Sequence, residues 1–187
     1  DYIGLDIAID DPRDLFVGPD GCVYIVDAAN NRIVVTDENY KLKFTIDAFI
    51  NDQGVPDKFT NPSGVFANAK EIFVCDTDAN RLVVFDIDGN FEKILAKPSS
   101  ALFGENSIYK PVAVAVDQYD RIYVISSTTY QGVIVLTSDG EFTGFIGAQN
   151  VVYSAWDIIW RNFQTAEQRK STASYIPTEY NNITVDK

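Results

Sequence analysis

The stretch Pro62 to Leu95, PSGVFANAKEIFVCDTDANRLVVFDIDGNFEKIL, contains four short runs rich in Val, Ile and Phe, separated by turn-forming residues. The runs are Gly64-Val65-Phe66, Ile72 to Asp76, Asn80 to Phe85 and Phe91 to Leu95; turns fall at Asn68 to Lys70 and at Asp88-Gly89. Runs of β-branched and aromatic residues bounded by Asn, Asp and Gly read as antiparallel strands joined by hairpins. The second and third runs are apolar at nearly every position instead of alternating. A strand covered on both faces has that pattern, so this unit needs a neighbour on each side.

The sequence supplies such neighbours. Pro12, Pro62 and Pro111 lie 50 and 49 residues apart, and each opens the same series of runs and turns. Upstream the series is Leu15 to Val17, Val23 to Asp27, Asn31 to Val35 and Leu42 to Ile46, with turns at Pro19-Asp20-Gly21 and Glu38-Asn39. Downstream it is Val112 to Val116, Ile122 to Ile125, Val133 to Leu136 and Phe142 to Ile146, with turns at Gln118 to Asp120 and Asp139-Gly140. Four-stranded units stacked face to face around an axis form a β-propeller. The expected fold is therefore all-β: a partial propeller of antiparallel blades with a repeat of about 50 residues, followed by a short helical insertion. Blades are expected at about 1–50, 51–98 and 99–147, the insertion at 148–180, and the start of a fourth blade at 181–187.

The central unit, with Gly54, Phe59, Pro62, Gly64-Val65, Ile72-Phe73-Val74, Asp76, Asn80-Arg81, Val83, Phe85-Asp86 and Gly89, resembles the NHL repeat. The first unit repeats it as Pro12, Tyr24 to Asp27, Asn31-Arg32 and Asp37. The third keeps Pro111, Ile122-Tyr123-Val124 and Asp139-Gly140, but has Ser126 for the Asp and Gln131-Gly132 for Asn-Arg. Other propeller families fit less well. WD40 units carry Gly-His and Trp-Asp, but the chain has no His and its Trp156-Asp157 lies outside the repeats. Kelch units carry a Gly-Gly doublet, which is absent. Tyr24 to Asp27 is similar to the Tyr-Trp-Thr-Asp repeat of lipoprotein-receptor propellers, without its Trp and Thr.

Composition narrows the chemistry. The 187 residues carry 15 Lys and Arg against 27 Asp and Glu, a net charge of −12. Such a surface repels phosphate backbones and anionic lipid, which argues against nucleic-acid partners and membrane-surface binding. With no His, the commonest general base and the usual Ser or Cys triads are missing. No apolar run is long enough to span a bilayer. Because the chain opens at Asp1 and contains no Met, a processed or excised chain is expected, from which a leader could have been removed. The location is thereby left open, with an exported, extracellular or cell-surface bacterial protein favoured. Cys22 and Cys75 are too few for a disulfide framework. Aligned on the repeat, both point to the same side of their blades, whereas a bond between blades needs opposite sides.

After Gln149 the repeat breaks off. Ser154 and Asp157 could open a helix, on which Trp156, Ile159, Trp160 and Phe163 would form one apolar face; Thr165 and Gln168 could open a second. Ile183 to Asp186 resembles Val114 to Asp117 at a distance of 69 residues against a period of 49, which leaves an insertion of about 20 residues. The apolar face is expected to pack on its own domain. Trp156, Trp160 and Phe163, with Tyr130, are the candidate partner-binding residues if it does not.

The repeated sets Asp27/Asn31/Arg32 and Asp76/Asn80/Arg81 could ring a ligand, but the expected role is structural: the Asp bonds the following turn and the Arg bridges neighbouring blades. Asp86 to Asn90 and Asp6 to Asp14 lack the full calcium-loop spacing. Gly18, Gly21, Gly64 and Gly104 form no phosphate loop. No catalytic residue, metal ligand or cofactor is therefore expected. The NHL resemblance implies a binding or scaffold propeller whose loops meet a protein, peptide or carbohydrate. Three blades alone leave two apolar faces open, so the residues are expected to be part of a longer propeller of about six blades, or else to complete a ring as a homodimer. The resemblance also implies an alternative, a six-bladed enzyme of the sugar lactonase or lyase type with its metal site largely outside these residues. Channel-side positions for such a site would be Asp14, Ser63 and Val112, of which one is a good ligand. Some NHL propellers bind RNA through a basic face, which a net −12 chain lacks.

Overall fold

The computed structural model describes residues 3–99, 108–129, 132–147 and 182–185. Within them lie three four-stranded antiparallel sheets, each a meander in chain order. The first comprises β1 (Pro12–Val17), β2 (Val23–Asp27), β3 (Arg32–Thr36) and β4 (Leu42–Ile46). A short hairpin, β5 (Ala48–Ile50) and β6 (Pro56–Lys58), follows. The second sheet is β7 (Pro62–Ala67), β8 (Glu71–Asp76), β9 (Arg81–Asp86) and β10 (Phe91–Leu95); the third is β11 (Pro111–Val116), β12 (Ile122–Ser126), β13 (Val133–Leu136) and β14 (Phe142–Ile146). These are the three units read from the sequence. The β5–β6 hairpin was not foreseen, because Phe49 and Pro56 sit in a stretch too short and polar to read as strands. The expected insertion at 148–180 lies outside the described residues.

The sheets stack face to face. A first core cluster joins Tyr24, Val26, Ile33 and Val35 of sheet one to Val65, Ile72, Val74, Val83 and Phe85 of sheet two. A second joins Phe73, Cys75, Leu82 and Val84 of sheet two to Val114, Val116, Ile122, Val124, Ile134 and Leu136 of sheet three. Successive residues of β8 and β9 thus enter opposite cores, which explains their unbroken apolar runs. Ile183 and Val185, partly buried, pack on the second cluster. Cys22 belongs to the first cluster and Cys75 to the second; both are free thiols, each facing the following sheet as the repeat alignment requires.

The first strands of the sheets lie side by side, with β7 packed between β1 and β11. Gly64 makes this approach possible: a Cβ there would stand 2.5 Å from the Val112 carbonyl oxygen and 3.1 Å from Ala113 Cα. The hairpin packs against the outer rim of the first cluster, where Phe49 stacks on Phe91 at 5.3 Å and meets Phe85 edge-on at 5.3 Å.

Two bulges recur in the sheets. In each first strand the register slips after the proline, leaving Arg13, Ser63 and Val112 as the extra residues. In each fourth strand it slips again, at Lys43, Glu92 and Thr143. An extra residue bends its strand and re-aims its side chain. The channel-side set expected from sequence is therefore corrected. Asp14, two residues after its proline, is equivalent to Gly64 and Ala113, and Ser63 and Val112, one residue after theirs, are equivalent to the bulge residue Arg13.

Candidate functional site

The repeated acid–guanidinium sets form where β2 turns into β3. The Asp27 carboxylate is fully buried and accepts hydrogen bonds from the Asp10 N–H at 2.9 Å, Asn30 Nδ2 at 3.0 Å and Arg32 Nε at 2.7 Å. Arg32 also donates to the Ile7 carbonyl. One blade on, the buried Asp76 carboxylate accepts from the Thr60 N–H at 2.6 Å and Arg81 Nε at 2.8 Å. Arg81 then grips Asp57 with both terminal nitrogens, at 2.7 and 3.0 Å, and the Lys58 carbonyl at 3.1 Å. Each set clamps the segment entering its own blade onto that blade's second turn. Arg therefore acts within its blade, where the sequence reading had it bridging two.

The Asn of the signature has a separate task. Asn31 and Asn80 hold φ of 50° and 57°, a left-handed turn conformation that Asn tolerates better than most residues. Asn31 Oδ1 also accepts the Asn61 N–H at 2.8 Å, tying blade one to the start of blade two.

Burial pushes the Asp76 carboxyl up despite the Thr60 and Arg81 bonds. The Arg81 fork, outweighing partial burial, holds Asp57 down at about 2. Each guanidinium thus offsets a buried charge that would otherwise be costly. Blade three changes both partners at once: Gly132 replaces the Arg and Ser126 the Asp. The Ser126 hydroxyl accepts the Lys110 N–H at 3.0 Å, so the clamp survives there without a buried charge.

The channel-side candidates are occupied by backbone. Asp14 accepts the Val65 N–H across the blade boundary at 2.9 Å and its own neighbour Leu15 N–H at 2.8 Å. Ser63 bonds Thr77, whose hydroxyl donates to the Pro111 carbonyl at 2.7 Å. Val112 contributes its carbonyl, an acceptor for Ser63 at 3.3 Å. Among the described residues no three His, Cys, Asp or Glu side chains cluster so as to hold a metal ion. Trp156, Trp160, Phe163 and Tyr130 lie outside the described residues.

What the clamped end does present is apolar. Ile7, Ile50, Val55 and Ile108, each at least half exposed, all sit in the segments that enter or join the blades at the end bearing the clamps. Exposed Asp6, Asp52 and Asp78 lie in the same segments and turns, and Asp78 pairs with Lys110 at 2.6 Å. Sequence reading missed this set because single Ile and Val residues in polar connectors carry no periodic signal.

Comparison with solved structures bears on the fold. The chain is a set of β-propeller blades. It is similar to virginiamycin B lyase from Staphylococcus aureus, at 16% identity and TM-score 0.50, over 78% of this chain and 44% of that one. A catalytically inactive histidine-to-alanine variant of that lyase, solved with quinupristin, superposes with TM-score 0.51. A Bacteroides fragilis protein matches at 14% identity and TM-score 0.54, over 80% of this chain and 40% of that one. Kuenenia stuttgartiensis hydrazine synthase matches at 13% identity and TM-score 0.50, over 78% and 39%. The chain thus spans less than half the length of these relatives. No family model and no curated protein matches it.

Proposed function

We propose that these blades belong to an NHL-like propeller that binds a protein or peptide, with a carbohydrate as a further ligand class, and that performs no catalysis through the described residues. The observation that carries this reading is the exposed set Ile7, Ile50, Val55 and Ile108 at one end of the blades, amid exposed carboxylates. Segment 3–9 adds an open cleft lined by Ile3, Leu5, Asp6, Ala8 and Ile9. Apolar contacts rimmed by negative charge favour an extended peptide with apolar and basic side chains. The signature carboxylates are already committed to Arg and backbone partners, and none of the 187 residues is His.

The test is binding of the purified chain to a displayed library of apolar and basic peptides and to a glycan array. Ile50→Asp with Val55→Asp, both on an exposed hairpin, should abolish capture and leave melting unchanged. The alternative is an enzyme of the lactonase or lyase type, for which the virginiamycin B lyase fold is the support. Turnover of quinupristin or of a sugar lactone by this chain would favour it over the binding reading.

A further inference from the structure

The bulge in β4 has a chemical consequence. Because Lys43 is the extra residue between Leu42 and Phe44, its side chain reaches across β3 to the residue that precedes β2. That residue is Cys22, and Lys43 Nζ lies 3.1 Å from its Sγ. Blade two repeats the geometry with other chemistry: the bulge residue Glu92 meets Glu71, and proximity to that carboxyl adds to burial in pushing Glu92 up. The contact thus recurs at the same place in blades one and two, whereas in blade three Thr143 bonds the Val135 carbonyl; in blade one it brings a thiol against an amine.

Two further groups complete the site. Asp20 Oδ1 accepts the Cys22 N–H at 3.1 Å and is exposed to water. The Tyr24 hydroxyl, with no solvent exposure, lies beside Asp20 and Cys22; both add to burial in raising its ionisation, Asp20 also by a side-chain hydrogen bond. Cys22 itself is 5% exposed, but its cover includes the flexible, exposed side chain of Lys43, which can move aside.

We propose that Cys22 and Lys43 are an oxidative modification site, at which a peroxide converts the thiol–amine contact into a covalent sulfur–nitrogen cross-link. In the first step the sulfur attacks one peroxide oxygen and the O–O bond breaks. The sulfur is oxidised by two electrons to a sulfenic acid, and the other oxygen takes the thiol proton and leaves as water. In the second step the Lys43 nitrogen, having lost its ammonium proton by way of Asp20 to solvent, attacks the sulfenic sulfur. The S–O bond breaks, a second water leaves with a nitrogen-bound hydrogen, and a sulfenamide joins Sγ to Nζ. Sulfenic acids condense in this way even with backbone nitrogen, a weaker nucleophile than an amine. The cross-link ties β4 to the start of β2 across β3.

Hydrogen peroxide is the probe. The folded chain is treated, digested without reductant and mapped by mass spectrometry. The expected product is a peptide pair holding Cys22 and Lys43, lighter than its two parts by two hydrogens, released by dithiothreitol and absent from Lys43→Arg. Treated wild-type protein should also melt several degrees higher, a gain that Lys43→Arg lacks. A pair that keeps one oxygen supports the same site, with one further peroxide consumed. Recovery of Cys22 from the folded wild-type chain as a free thiol, or as sulfinic or sulfonic acid with Lys43 unmodified, would overturn the proposal. Lys43→Arg keeps the charge at an exposed strand position, so the control folds.

Discussion

Arg81 Nε lies 2.8 Å from Asp76 Oδ2, at a carboxylate that has no contact with water. That single bond fastens the two central strands of blade two at their joining turn, and the rest of the same guanidinium holds Asp57 and with it the segment entering the blade.

Removing the guanidinium should therefore cost more than one ion pair. Arg81→Ala leaves Asp76 buried without its partner, a change that typically costs about 3 to 5 kcal/mol. Arg121→Ala breaks a still shorter pair with Asp117, at 2.6 Å, but Arg121 is 55% exposed, and its loss should leave stability nearly unchanged. Urea denaturation of both variants measures the contrast.

The same clamp gives an acid limb of known sign. Asp57 in the folded chain titrates at about 2, below the ordinary value of roughly 3.9. A depressed carboxyl contributes stability that is fully present above its unfolded value, and that is lost as pH falls from about 4 towards 2. Asp57→Asn should flatten that part of the profile of melting temperature against pH. Asp76, raised by burial, acts in the opposite sense, so an Asp76→Asn variant should not reproduce the flattening.

Gly64 and Gly144 offer a test of how closely the first strands approach. A methyl at Gly64 would meet backbone of the next blade at 2.5 Å, which neither strand can yield without moving. Gly64→Ala should lose about 1 to 3 kcal/mol. Gly144 has open space where its Cβ would stand, and Gly144→Ala should be neutral or slightly stabilising. Thermal melts of the two variants decide it.

Most of the fold was legible because the repeat displays it three times. Proline spacing gave the blade length, and the unbroken apolar runs of β8 and β9 gave the two-sided burial. The bulges were not legible, since an extra residue looks like any other until its partner strand is known. Asp14 was set beside Ser63 and Val112 although it stands two residues after its proline and they stand one after theirs. The Asp–Arg sets were read as structural from their place at a strand end, but their partners include main-chain groups of Asp10, Thr60 and Lys58, which carry no sequence signal. Lys43 and Cys22, 21 residues apart, meet only because of a bulge. The expected helix with Trp156, Trp160 and Phe163 was the most specific partner reading, and those residues fall outside the described ones.

Phe85 is the centre of the outer aromatic group, with ring contacts to Phe49, Phe59 and Phe91 between 5.3 and 6.2 Å and no solvent exposure. Phe85→Ala should cost about 3 to 5 kcal/mol. Because Phe49 belongs to the β5–β6 hairpin, the variant should also release that hairpin, read as faster proteolysis near residues 51–55.

Stacked blades imply an order of local stability. Blade two is covered on both faces, whereas blade one leaves Leu15 and Val17 more than half exposed and blade three leaves Ile146 so. Native-state hydrogen exchange of the 187-residue chain measures this directly. The slowest amides should be those of β8 and β9, at Val74, Val83 and Val84, with the equivalent strands of the two flanking blades exchanging faster. Equal protection in all three sheets, or slowest exchange in β2 and β3, would contradict a central blade held between two others.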